Sequence, residues 1–353
     1  MYIDRLIICA IVLKMEKEMR RARLKVHNRD TFYHTMNRLA TYKKDGKDIF
    51  DTEDKNYFVN LMTKLTGYFN VEISSYCIMG NHYHIIFKQR CELLSRPEAT
   101  RKHNEYYKGM KRTKKLEYKG DKDTLPYMLV DIDNARERMR DMSEYMKALQ
   151  QAFTLWYNKR HEKIGPLWDG RFKSVILDEK DALWKCSKYV ALNPVRSEMV
   201  TSPADYEFSS WGQWQQKKSS TFADYFHKAI RNARNKPRWT SYQVMDAFRL
   251  DMERTMSYET PTITAWEHAE TDWVPQAYKD ECEKRKVSKP KVLEIQGNCQ
   301  VDYWTKGCII SSSKEFMDET VQDIFGEEGI SKSYDILLDG EDEMLAYQRI
   351  QKS

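Results

Sequence analysis

Val71 to Lys88 reads VEISSYCIMGNHYHIIFK, and the fold turns on this stretch. Val71 to Met79 is rich in β-branched and aromatic residues, which suit a pleated, half-buried surface. Gly80-Asn81 supplies a two-residue turn. His82 to Lys88 then returns as the partner strand of a hairpin. Side chains alternate along a strand, so His82 and His84 share one face while Tyr83 and Ile85 point the other way. Two neutral imidazoles on one face can reach one divalent cation and leave coordination positions open for a phosphate oxygen. The same H-x-H spacing also fits two exposed strand histidines, so its meaning depends on other parts of the chain.

Upstream, Thr31 to Leu39 (TFYHTMNRL) reads as a strand. Asp51 to Phe69 places Tyr57, Phe58, Leu61, Leu65 and Phe69 at helical spacing, with Asp51 or Thr52 as N-cap. Downstream, Arg136 to Tyr157 is expected to form one long helix. Its apolar stripe is Met139, Met142, Met146, Leu149, Phe153 and Trp156, a spacing that signals core packing. Phe172 to Leu177 reads as a strand. Asp178 then caps a helix running to about Asn193, where Pro194 is expected to end it. Beyond Trp211 the helical patches are Asp224 to Arg234, Ser241 to Met256 and Ser313 to Ile324. Strands interspersed with helices in this order make an α+β chain with a mainly helical C-terminal extension.

The chain has 353 residues and a formal net charge of +6. The charge is uneven: Ser311 to Ser353 carries −7, which leaves +13 on the rest. A basic body suits a polyanion such as nucleic acid, and the acidic end reads as a solvated tail. Between Arg101 and Gly120, eight cations including Lys111 and Arg112 are interleaved with Tyr106, Tyr107 and Tyr118. That segment is expected to be a mobile basic insertion within about 91–135, either a solvated loop or a grip for phosphates and bases. The seven cysteines form no C-x-x-C pair and are odd in number, which fits a reducing compartment rather than a disulfide framework. Leu6 to Leu13 is too short an apolar run to span a bilayer and lacks a signal cleavage site. The expectation is a cytoplasmic protein without membrane association. Residues 1–21 are read as an extension, with Met15 or Met19 as alternative starts.

Tyr189 and Asn193 stand four apart on the expected helix and share a face. Leu183, Cys186 and Val190 form the adjoining buried stripe, which puts Tyr189 at its edge. A phenol is a nucleophile once its proton is removed or its charge stabilised. Its ordinary pKa is near 10, so a nearby metal and phosphate-binding cations would help. The Asn193 amide oxygen can complete a metal's ligand set. Taken singly, Tyr189 also fits a packing residue and Asn193 a helix terminator.

Together these residues resemble the HUH single-tyrosine nucleases, and more closely the REP-associated tyrosine transposases, relatives of small insertion-sequence transposases. The pattern M-x-N-H-x-H stands here as Met79 to His84. A G-x-L-[WF]-x-x-R-[FY]-K-S stretch stands as GPLWDGRFKS, Gly165 to Ser174, and Y-[IV]-x-x-N-P-V-R as YVALNPVR, Tyr189 to Arg196. A trailing D-Y-x-x-S-S is Asp205 to Ser210. The likeness covers roughly Ala22 to Trp214, and Tyr303 to Phe325 is similar to a tail of longer members.

The resemblance implies a ferredoxin-like antiparallel sheet flanked by helices over 22–214, with 215–353 as an extension of unassigned role. It implies that His82, His84 and Asn193 bind Mg²⁺ or Mn²⁺. It implies that Tyr189 attacks single-stranded DNA to leave a 5′-phosphotyrosine link at palindromic, hairpin-forming repeats. Arg171 and Lys173, flanking the strand before the nucleophile helix, are read as DNA contacts, as are Arg196, Lys111 and Arg112. Trp168 and Phe172 fit either base stacking or core packing. The resemblance implies a monomer, with a dimer left open. Two alternatives also stay open: a domesticated, catalytically silent hairpin-binding protein, and a metal phosphodiesterase that activates water.

Overall fold

The computed structural model describes residues 23–40, 50–108, 131–217, 222–266, 304, 309–325, 335–339 and 342–347. The expected hairpin is present: β2 (Val71–Ile78) and β3 (His82–Gln89) pair antiparallel, closed by a Met79 N–H bond to the His82 carbonyl at 2.8 Å. β1 (Thr31–Arg38) lies on the other side of β3, and β4 (Lys173–Leu177) lies beyond β1, both antiparallel. Tyr33, Tyr76, Tyr83 and Phe87 are completely buried, so these strands sit in the middle of the core rather than on its edge.

The helices arise from caps and stripes in the sequence. α1 (Thr52–Thr66) opens with a capping box in which Asp51 and Asp54 each bond the other's backbone N–H, satisfying two otherwise unpaired donors. It packs on one face of the sheet beside α4, described below. α2 (Arg96–Lys108) runs through the first part of the basic segment, where a loop was expected. An aromatic cluster explains the difference: Tyr106 packs on Tyr68 with ring centroids 4.7 Å apart, and Tyr107 packs on His103 at 4.5 Å. Lys111 and Arg112 lie outside the described residues.

The single long helix expected from Arg136 is two helices, α3 (Ile132–Met139) and α4 (Met142–Arg160). Asp141 causes the break. It is extended at φ −98°, ψ 117°, and its carboxylate accepts from the N–H groups of Ser143 and Glu144. A short acid that bonds local backbone in this way favours a cap over a helix interior.

α5 (Asp181–Arg196) also departs from expectation, because it continues two residues past Pro194. A proline deletes one N–H, yet the last turn holds because the N–H groups of Ser197 and Met199 still bond the carbonyls of Asn193 and Pro194. Asp178 does act at the helix start: one oxygen accepts from the N–H groups of Lys180 and Ala182. Three further helices are α6 (Ser210–Lys217), α7 (Ala223–Ala233) and α8 (Ser241–Trp266).

The sheet is larger and less uniform than the expected antiparallel one. β5 (Ile309–Ser311) pairs parallel to β4, and β7 (Asp342–Tyr347) and β6 (Asp335–Asp339) continue antiparallel beyond it. The result is a mixed seven-stranded sheet in the order β2-β3-β1-β4-β5-β7-β6. α9 (Lys314–Phe325) lies between β5 and β6 in the chain. The C-terminal strands were not foreseen because Ile309–Ser311 is too short to show a period of two. The second oxygen of buried Asp178 ties them in, accepting from Ser311 Oγ at 2.8 Å and from the N–H and hydroxyl of Ser312. Among the described residues no helix is long and apolar enough to cross a membrane.

Candidate active site

The register places the site. His82 pairs with Arg38 and His84 with Met36 across β1 and β3, while Lys173 of β4 pairs with Met36. Directly paired residues point to the same side of a sheet, so Arg38, His82, His84 and Lys173 share one face with His34. α5 covers that face and presents Tyr189 and Asn193 from successive turns.

The three expected ligands converge. His82 Nε2 lies 3.4 Å from Asn193 Oδ1, and Asn193 Nδ2 lies 3.2 Å from His84 Nε2. The hydrogen positions follow from the other ring nitrogens. His82 Nδ1 donates to Asn81 Oδ1 at 2.7 Å, so its Nε2 carries only a lone pair. His34 Nδ1 can only donate to the carbonyl of Trp304 at 2.9 Å, which makes its Nε2 an acceptor for His84 Nδ1–H, also at 2.9 Å. His84 Nε2 is then bare as well. One amide cannot satisfy both imidazoles: Asn193 donates to His84 but turns an oxygen toward the lone pair of His82. Two electron-rich atoms facing each other in a buried site form a donor set that a divalent cation satisfies, so these residues fit a metal ion.

Burial pushes His82 and His34 down to about 4, and His84 is also lowered, with the Arg38 charge adding to the effect at His82 and His84. All three are neutral at pH 7, the state in which imidazole binds metal.

Tyr189 stands beside the ligands. Its ring meets His84 edge-on with centroids 5.4 Å apart and stacks on Trp304 at 6.2 Å. It is 4% exposed, and burial raises its pKa to about 12. The Arg196 charge and a hydrogen bond from Asn193 oppose that rise, with the guanidinium 5.4 Å over the ring. The phenol is therefore positioned but not ionised at neutral pH.

No protein-family model matches this chain, and no curated protein matches it. A solved structure of a REP-associated tyrosine transposase bound to a REP hairpin is similar at 14% identity, with a TM-score of 0.36. The match covers 58% of this chain and 90% of that one.

The remaining expected residues divide. Arg171 and Lys173 are exposed, and Arg171 follows Gly170, whose φ of +103° favours glycine. Trp168 and Phe172 are packing residues: Trp168 meets Tyr83 edge-on at 5.4 Å and bonds Thr154, and Phe172 is buried under the Arg23 guanidinium. The Asp205–Ser210 motif covers the outer edge of β2, with the Tyr206 hydroxyl on the Ile78 carbonyl at 2.7 Å and Ser210 Oγ accepting from the Tyr76 N–H.

Sequence reasoning missed His34, Arg38 and Trp304. The signal for the first two was present, since His34, Met36 and Arg38 recur at a period of two on β1. Arg38 is exposed beside His82 and forms no ion pair among the described residues. Another group close enough to hold an ion is Asp51, Asp54 and His161. Its carboxylates are already engaged, by the α1 capping box and by Arg160 at 2.7 and 2.8 Å.

Proposed function

We propose that this chain is a metal-dependent single-stranded DNA endonuclease and strand transferase of the REP-associated tyrosine transposase kind. The observation that carries the reading is the convergence of His82, His84 and Asn193 on one another, with Tyr189 in contact with the same cluster. The motifs at Met79–His84, Gly165–Ser174 and Tyr189–Arg196 support it, as does the strand order β2-β3-β1-β4, which is that of a ferredoxin-like core.

In this reading Arg38, Arg171 and Lys173 hold backbone phosphates at the exposed rim of the site. His82, His84 and Asn193 hold Mg²⁺ or Mn²⁺, which when bound supplies Lewis-acid stabilisation of charge on the phosphate. Tyr189 Oη forms a bond to phosphorus, the bond from phosphorus to the 3′ oxygen breaks, and the phenolic proton is balanced by the new 3′-hydroxyl. The 5′-phosphotyrosine keeps a phosphodiester, so a 3′-hydroxyl can reverse the step on the same or another strand. The Arg196 guanidinium over the Tyr189 ring favours the phenolate.

The test incubates the protein with hairpin-bearing single strands and Mn²⁺ or Mg²⁺ and separates products on a denaturing gel. A covalent adduct is expected, lost in Tyr189→Phe and in His82→Ala and prevented by a chelator. An adduct that survives Tyr189→Phe overturns the nucleophile, and indifference to chelator overturns the metal. One observation favours a second reading, a catalytically silent hairpin binder: Tyr189 is buried against Trp304 with its pKa raised. That reading expects hairpin binding with no adduct in any metal.

A further inference from the structure

His34 is an unassigned buried histidine in direct contact with a proposed ligand. It is completely buried on β1 and touches groups far apart in the chain, with His84 Nδ1 50 residues away and the Trp304 carbonyl 270 residues away. Its ring lies edge to edge and nearly coplanar with that of His84, with centroids 5.1 Å apart and an interplanar angle of 14°, the alignment an in-plane N–H···N bond requires. Each polar atom of the ring is therefore used, and each use has a fixed direction.

We infer that His34 is a positioning residue, held by the Trp304 carbonyl, that fixes His84 as the Nδ1–H tautomer with its Nε2 lone pair aimed at Asn193. The direction of the relay follows from the carbonyl, which cannot donate. His34 Nδ1 must carry a hydrogen, its Nε2 must then accept, and His84 Nδ1 must donate. A free histidine divides between two tautomers, and only one of them leaves Nε2 available. A ligating imidazole commonly gives its second N–H to a partner that locks the ring, and loss of that partner lowers metal affinity by about 10–100-fold. Here the partner is a second imidazole, and the group behind it comes from the C-terminal segment. Trp304 also stacks on Tyr189, so the same residue touches both sides of the site.

The inference rests on the metal reading above, and its test separates the two. The first arm needs no metal. Long-range ¹H–¹⁵N spectra of the full apo chain report which nitrogen of each histidine carries the proton. The expected result is Nδ1–H at both His34 and His84; an Nε2–H tautomer at His84 overturns the inference. The second arm titrates Mn²⁺ into the full chain without DNA and follows free Mn²⁺ by electron paramagnetic resonance. His34→Leu should bind about 10–100-fold more weakly, and His34→Gln, whose side-chain oxygen can accept from His84, should recover most of the loss. Affinity within twofold of wild type in His34→Leu overturns the inference. So does an equal loss in the Leu and Gln variants when both unfold in urea at the wild-type midpoint. If the wild-type chain binds no Mn²⁺, the metal reading fails, and the tautomer arm decides the role of His34 by itself.

Discussion

The two faces of β3 are built on different terms, one buried throughout and the other open to water at its His82 end. Tyr83 and Phe87 face α1 and α4: Tyr83 packs on Phe58 at 5.1 Å and receives a hydrogen bond from Gln150, and Phe87 meets Tyr145 edge-on at 5.5 Å. That face is made of ring on ring, with the Tyr83 hydroxyl given a donor. His82 and His84 face α5, where one amide meets two lone pairs and can donate to only one of them. A protein interior normally gives each polar atom a partner of its own, so two bare imidazole nitrogens converging on a single amide mark a place for a ligand. The same alternation that hides Tyr83 presents its neighbours to chemistry, and one strand thereby separates stability from function.

Substitutions on the two faces should therefore differ most. Phe87→Ala should lower the unfolding free energy by about 3–5 kcal/mol, because it removes a fully buried ring from a packed core. His82→Ala should cost under about 1 kcal/mol, since the ring is partly exposed and water can replace its bonds, while metal binding is lost. Urea unfolding of both variants checks the pair. Equal losses on the two faces would break the contrast.

Acid should expose the same difference. His34 and His82 sit near 4 when folded and near 6.5 when unfolded. Below pH 6.5 the unfolded chain takes up protons that the folded chain refuses, so the stability is whole above that value and is lost as the pH falls toward 4. At pH 5 the loss is about 2 kcal/mol for each group. His84, lowered further, adds a third contribution, so urea midpoints at pH 7 and pH 5 should differ by the sum of the three, and His34→Gln should remove roughly a third of the difference. A midpoint that ignores pH over this window would mean that the site face is more open than its burial indicates.

Much of this was legible in the sequence, and the reason is local. The hairpin, the H-x-H face and the Tyr189–Asn193 pair depend on periods of two and four within one element. The capping roles of Asp51 and Asp178 were readable for the same reason. Contacts between distant segments were not readable. Nothing in the sequence says that the Trp304 carbonyl meets His34, or that three short C-terminal strands extend the sheet from β4. The break at Asp141 was hidden by an apolar stripe that runs through both α3 and α4, since hydrophobic spacing records which face is buried and not whether the backbone is continuous. Arg38 was missed because the basic residues were weighed as a run in one segment, whereas its significance comes from pairing with His82 on a neighbouring strand.

The smallest expected effect lies on the ring-packed face and tests its bond to the Tyr83 hydroxyl. Gln150 Nε2 donates to the hydroxyl of Tyr83 at 3.1 Å, and the Tyr83 ring is completely buried. Gln150→Ala leaves that hydroxyl without its donor, and the cost should be about 1 kcal/mol, the usual net value of one such bond. The Tyr83 hydroxyl could still donate to water if the shortened side chain admits one, which would hold the loss at the low end. Tyr83→Phe in the Gln150→Ala background should then restore part of the stability, because a buried ring with no hydroxyl has nothing left to satisfy. On the site face the corresponding removal, Asn193→Ala, should not be mended by any single apolar replacement of His82 or His84, since each imidazole is tied to its own second partner, Asn81 or His34. A double-mutant cycle on each face compares the two. Coupling confined to Gln150 and Tyr83 on one side, and spread through Asn193, His82, His84 and His34 on the other, is the energetic form of the difference between a packed surface and a site.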